Sequence, residues 1–168
     1  MQAATLVSVQ EYLSGDYEPD CDYVDGVLEE RNLGERDHSR LQAQLIVYFA
    51  RRQKQLRIEV LPEQRVQISP TRFRVPDITL IDSANQEQII TAPPLLCIEI
   101  LSPEDRLKRV VIRAQDFLDI GVPEIWIIDP QSYRCYTFTK AAGFREVLGG
   151  ILTTCDGRIT LNIAELGE

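Results

Sequence analysis

The sequence predicts an α/β domain, a central mixed β-sheet flanked by helices. Three observations predict it. Residues 38–55 and about 105–119 carry apolar side chains at helical spacing. Two short apolar runs, LLCIEIL at 95–101 and EIWII at 124–128, have the character of strands buried on both faces. The inferred order, two strands, a helix, three strands, a helix and two strands, is that of a layered α/β protein. With 168 residues, 44% hydrophobic and 26% charged, the chain is expected to form a single domain over 1–168.

Ser8-Val9-Gln10-Glu11 is a capping-box sequence and predicts a short helix stopping near Gly15. Residues 16–22 (DYEPDCD) are acidic and turn-rich, and 23–31 predicts a hairpin with Asp25-Gly26 as its turn. In 38–55, Leu41, Leu45, Tyr48 and Phe49 form the buried stripe, and Arg51, Arg52 and Lys54 suit the helix C-terminus. Arg57 joins these three in a basic cluster expected to be a solvated helix end. Strands are expected at 58–61, 64–69 and 73–82, with Pro76 marking a bulge or an edge in the third. After 95–101 the second helix ends where Gly121 supplies a C-cap. Strands at 124–128 and 134–138 follow, and 144–166 predicts hairpin pieces and a terminal turn. Trp126 belongs to the core, where its indole needs an acceptor.

Composition narrows the function. Eighteen basic against 26 acidic residues give a net charge of −8. That opposes a protein coating nucleic acid non-specifically, so any such partner requires locally collected positive charge. Four scattered cysteines with no CxxC pair, and one histidine, exclude zinc ribbons, zinc fingers and thioredoxin-type motifs. The cysteines are expected to be reduced thiols of a cytoplasmic protein. No apolar run approaches the roughly 18 residues of a membrane span, and the N-terminus carries no secretory pattern. No Gly-rich phosphate loop and no Ser–His–Asp order is present.

Asp77 and Glu99 are the informative residues. Each is a carboxylate within a strand of apolar or β-branched neighbours, Asp77 after Pro76 and Glu99 inside LLCIEIL. Burying such a group costs several kcal/mol unless it is paired or bound to metal. Their separation fits neighbouring strands that converge on one divalent cation, and Mg²⁺ takes few carboxylates beside water and phosphate. Pairing with arginine answers the same cost, and the pattern leaves both open.

Pro76-Asp77, then Glu99-Ile100-Leu101-Ser102-Pro103, then GVPEIWIIDP at 121–130, resemble the bacterial Uma-type restriction-endonuclease family of the PD-(D/E)XK nuclease superfamily. DGVLEE at 25–30 and His38-Ser39 extend the likeness, which runs from about residue 8 to about 165. The resemblance implies a restriction-endonuclease-like core and hydrolysis of a nucleic-acid phosphodiester, of DNA by preference, with Mg²⁺ or Mn²⁺ activating water. It assigns Asp77 to the PD position, Glu99 to the (D/E) position and Glu30 to an additional carboxylate near the site. The chain departs at the lysine. Leu101 stands two residues after Glu99, and the helical position where the family commonly places its lysine, four before Phe117, is Arg113. Arginine keeps the charge but cannot deprotonate.

On a helix Arg106, Arg109 and Arg113 form a stripe beside the buried face, while Lys108 lies about 140° from Arg113. Arg113 is therefore the expected site cation, with Lys108 as fallback. Arg106 and Arg109 are candidate phosphate contacts or simply a solvated face. His38 lies near the apolar stripe and is a candidate phosphate contact at the start of its helix, or a packed residue. Two functions remain in view: a metal-dependent endonuclease, and a catalytically inactive nuclease-fold module that binds nucleic acid or a protein partner. Homodimer formation is an expectation from size and apolar edge strands.

Overall fold

Pro76 divides the sheet structure in two. The computed structural model, which describes residues 6–18, 20–31, 35–102 and 107–167, orders the chain as α1 (Val9–Ser14), β1 (Cys21–Val24), β2 (Val27–Glu30), α2 (Arg36–Ala50), α3 (Gln53–Leu56), β3 (Ile58–Pro62), β4 (Val66–Ser69), β5 (Arg72–Arg74), β6 (Ile78–Asp82), β7 (Leu96–Ile100), α4 (Leu107–Asp119), β8 (Ile125–Ile128), β9 (Cys135–Thr139), β10 (Gly143–Val147), β11 (Ile151–Thr153) and β12 (Thr160–Asn162). A 3-10 turn, Ile163–Gly167, closes it. The stretch expected as one strand over 73–82 is two, β5 and β6, and they belong to different sheets. Proline offers no N–H to a ladder and pushes the preceding residue to extended backbone, so the chain can change partners there.

The larger sheet has six strands in the order β10-β9-β8-β7-β6-β3, with β7 and β8 parallel and every other pair antiparallel. It is the expected mixed sheet. The smaller sheet, β2-β1-β5-β4, is wholly antiparallel. β11 and β12 form a separate hairpin.

Helices cover both faces of the six-stranded sheet. Leu41, Leu45, Tyr48 and Phe49 of α2 are buried, as their spacing predicts, against Ile78, Leu80, Ile98, Ile100, Trp126 and Ile128. On the other face Val110, Ala114, Phe117 and Leu118 of α4 pack on Ile81, Cys97, Ile125 and Ile127. β7 alternates between the two cores, which is why its run is apolar on both faces. Glu99 shares the α4 side with Cys97.

Local signals explain the boundaries. The Ser8 hydroxyl accepts from the Glu11 N–H, and the Glu11 carboxylate accepts from the Ser8 N–H at 2.8 Å, completing the capping box. Asp25 and Gly26, with φ of 49° and 94°, make the two-residue turn between β1 and β2. Gly121, φ 102°, ends α4 with its N–H on the Leu118 carbonyl. The helix expected over 38–55 is interrupted after Ala50 and resumes as α3. Arg52 folds back over the Tyr48 ring, 3.7 Å from its centroid, and pairs with Glu165, so it is packed rather than merely solvated. The Trp126 indole finds its acceptor in buried Glu124.

Candidate active site at the junction of the two sheets

The segment 75–77 between β5 and β6 is held at both ends. Val75 N–H donates to Asp22 Oδ1 at 2.8 Å, and the Val75 carbonyl accepts from Arg113 at 3.1 Å. The Asp77 carbonyl accepts from Gln42 Nε2 of α2 at 3.1 Å and from the Glu63 N–H at 3.2 Å. A chain so clamped presents the Asp77 side chain in one place.

The Asp77 carboxylate is 3% exposed. Its Oδ2 accepts from the Ile100 N–H at 2.7 Å and faces His38 Nε2 at 3.4 Å, while Oδ1 accepts from Arg31. Glu99, one residue before Ile100, turns its Oε1 to Arg113 at 3.1 Å. Arg31, His38, Asp77, Glu99, Ile100, Ser102 and Arg113 line a cleft with about 20 Å³ of space for water-sized occupants. That is room for about one small species.

The two acids differ in charge state. Burial works against the Asp77 carboxylate, but the His38 hydrogen bond, the Arg31 charge and the Ile100 N–H outweigh it and hold its pKa at about 2. Burial pushes Glu99 up, Arg113 opposes this, Asp77 adds to it, and the result is about 8. Burial also acts against a charged His38, yet the hydrogen bond and charge of Asp77 leave its pKa raised.

The donor set fits a hard divalent cation. Glu99 is a buried carboxylate that the protein's own cations do not fully compensate, and Asp77 is a buried anion beside it. Among the described residues no three His, Cys, Asp or Glu side chains form a metal cage. Two carboxylates with the remaining positions left to water and substrate phosphate is the arrangement Mg²⁺ accepts.

A family model described as "Putative restriction endonuclease", Uma2, matches residues 9–149. The chain belongs to the Uma2 family. A solved structure described as a putative nuclease belonging to DUF820, from Anabaena variabilis, superposes with a TM-score of 0.81 at 20% identity, over 95% of this chain and 97% of that one. That likeness shows the fold. No curated protein matches the chain.

In this Uma2 chain the structure brings Asp77, Glu99, Arg113 and His38 together and leaves Glu30 out. β1 and β2 pair Cys21 with Glu30 and Asp22 with Glu29, and paired residues share a face. Glu29 and Asp22 therefore face Arg74, at 2.7 and 3.0 Å, whereas Glu30 lies on the other face, exposed and outside the cleft lining. Arg109 and Lys108 are exposed on α4, while Arg113 is half-buried and turned to the acids, so the basic stripe divides along its length. Arg106 lies outside the described residues.

Two residues escaped the sequence reading. Asp22 is 2% exposed and reaches both Arg74 and Arg113, the latter with Nε at 3.4 Å. Its signal was the one that exposed Asp77 and Glu99, an acid between Cys21 and Tyr23 within a strand. The expected acidic turn over 16–22 hid it, because β1 begins at Cys21. Arg31, at the end of the hairpin, carries no local signal for its contact with Asp77, 46 residues away.

Proposed function

We propose that the chain is a metal-dependent endonuclease hydrolysing phosphodiester bonds of nucleic acid, DNA by preference, with Mg²⁺ or Mn²⁺. The observation that carries this reading is the convergence of Asp77 and Glu99, on adjoining strand ends, on one small cleft walled by arginines. Membership of the Uma2 family supports it. Asp77 and Glu99 would hold the cation, which when bound would lower the pKa of water and screen phosphate charge. Glu99 would hold it as the carboxylate, its proton given up to solvent. Arg113 keeps Glu99 in place and supplies positive charge where a lysine is expected. Its guanidinium already contacts Glu99, Val75 and Asp22, so it acts as a fixed charge and not as a base. His38 holds Asp77 Oδ2 at the mouth of α2, and exposed Arg109 extends positive charge outward along α4.

A calorimetric Mn²⁺ titration of wild type beside Asp77→Asn and Glu99→Gln tests the reading. The expected outcome is one site lost in both variants, and cleavage lost in Asp77→Ala. Cleavage that persists in Asp77→Ala overturns it.

The engagement of Arg113 also favours a second reading, a nuclease-fold module that binds nucleic acid or a protein without cutting. Its mark is partner binding unaffected by chelators and by Asp77→Asn. Cleavage restored or raised by Arg113→Lys decides for the nuclease.

A further inference from the structure

Asp77 has more positive neighbours than a metal ligand can keep. Its Oδ2 is occupied by the Ile100 N–H and His38, so a cation would meet it through Oδ1, which Arg31 already holds. A divalent ion and a guanidinium on one carboxylate oxygen repel each other at close range. One of the two must give way.

The cations of the cleft differ in freedom to move. Arg113 is fastened at Glu99, at the Val75 carbonyl and at Asp22. Arg74 is 3% exposed and bonded to three carboxylates. Among the described residues Arg31 makes one side-chain ion pair, with Asp77, and its buried Nε has no hydrogen-bond partner. Its side chain is 11% exposed and lines the cleft together with Ser102. It stands just past the end of β2, where its backbone N–H still donates to the Asp20 carbonyl at 3.2 Å, so any displacement belongs to the side chain.

We propose that Arg31 is a displaceable phosphate anchor: it neutralises Asp77 while the metal is absent, yields Oδ1 to the metal, and turns its guanidinium to the substrate phosphate. This rests on the endonuclease reading above and deepens it, because it assigns phosphate recognition to Arg31 rather than to the tethered Arg113. The guanidinium fork suits the task, since it can donate two parallel hydrogen bonds to phosphate oxygens. The exchange keeps the cleft near neutral in both states: arginine on carboxylate before, metal on carboxylate and arginine on phosphate after. No bond is made or broken covalently.

The test uses the full chain in two titrations. The first follows Mn²⁺ binding by calorimetry in wild type, Arg31→Met and Arg31→Lys. The second follows a short labelled DNA duplex by fluorescence anisotropy in Ca²⁺, which takes the same oxygen ligands. The expected result is Mn²⁺ bound at least five-fold more tightly by Arg31→Met, because the competing cation is gone, with DNA bound at least ten-fold more weakly. Arg31→Lys keeps the competing charge and is expected to bind Mn²⁺ within two-fold of wild type, so it guards against a misfolded methionine variant. A purely structural Arg31 would give weaker or unchanged Mn²⁺ binding in Arg31→Met, and that result overturns the proposal. Tighter Mn²⁺ with unchanged DNA affinity overturns it as well. Wild type that binds no Mn²⁺ even with DNA present overturns the endonuclease reading and this inference together, whereas the other failures leave that reading standing.

Discussion

Two buried clusters of carboxylate and arginine meet at Arg113, and they are built on opposite plans. In the first, Arg74 is surrounded. Its guanidinium reaches Asp22 at 3.0 Å, Glu29 at 2.7 Å and Asp116 at 2.8 Å, and Asp22 spends its second oxygen on the Val75 N–H. In the second, the compensation is uneven. Asp77 has Arg31, His38 and Ile100 N–H, while Glu99 has one guanidinium contact and keeps a pKa of about 8. The first cluster joins the small sheet to α4. The second opens on a cleft and holds a carboxyl group whose burial raises its pKa. Satisfied networks hold a fold together, and unsatisfied ones mark where a ligand completes the charge.

The difference can be broken by mutation. The largest effect is expected from Arg74→Met, which removes the most buried cation of the cluster and leaves, among the described cations, only Arg113 at 3.4 Å for Asp22 and only the more exposed Arg72 for Asp116. It should lower stability by about 3–5 kcal/mol in urea unfolding, the usual cost of removing one partner of a buried pair. An unchanged midpoint would mean the cluster is not structural. Asp116→Asn should cost less, about 1–3 kcal/mol, because the amide oxygen still accepts from Arg74 while the charge is lost.

Glu99→Gln sharpens the contrast. It should change stability by less than about 1 kcal/mol at pH 7 and yet abolish Mn²⁺ binding, as expected where a site trades stability for function. The pH dependence has a definite sign. The folded state holds the Glu99 proton from the ordinary value of 4.5 up to about 8, so it binds more protons than the unfolded chain in that window. Wild-type stability, measured against Glu99→Gln in parallel urea titrations, should therefore fall as pH rises from 4.5 to 8. A flat difference would mean that folding leaves the affinity of Glu99 for its proton unchanged. The smallest effect is expected at the rim. Arg72, 32% exposed and shared between Asp25 and Asp116, should cost under about 1 kcal/mol as Arg72→Ala in the same unfolding assay.

Much of this was legible along the chain. The helical stripes of α2 and α4, the capping box, the Asp25-Gly26 turn and the buried strands β7 and β8 all stand near where spacing and turn chemistry put them. Each depends on residues a few positions apart, so local sequence carries the information. Asp77 and Glu99 were visible because a carboxylate amid apolar strand residues breaks the pattern around it. Glu30 was misplaced because neighbouring strand residues point to opposite faces, and choosing between Glu29 and Glu30 needs the register with β1.

The sequence by itself determined the class of fold and set Asp77 and Glu99 apart from their neighbours, since composition, periodicity and motif spacing are properties of one dimension. Tertiary structure alone decided that Pro76 separates two sheets, that Asp22 rather than Glu30 backs the site, and that Arg31 closes on Asp77. Those contacts join residues 23 to 91 positions apart, across strand pairings that local propensities do not encode. Their cause is electrostatic: a buried charge takes whichever partner the packed strands bring within reach.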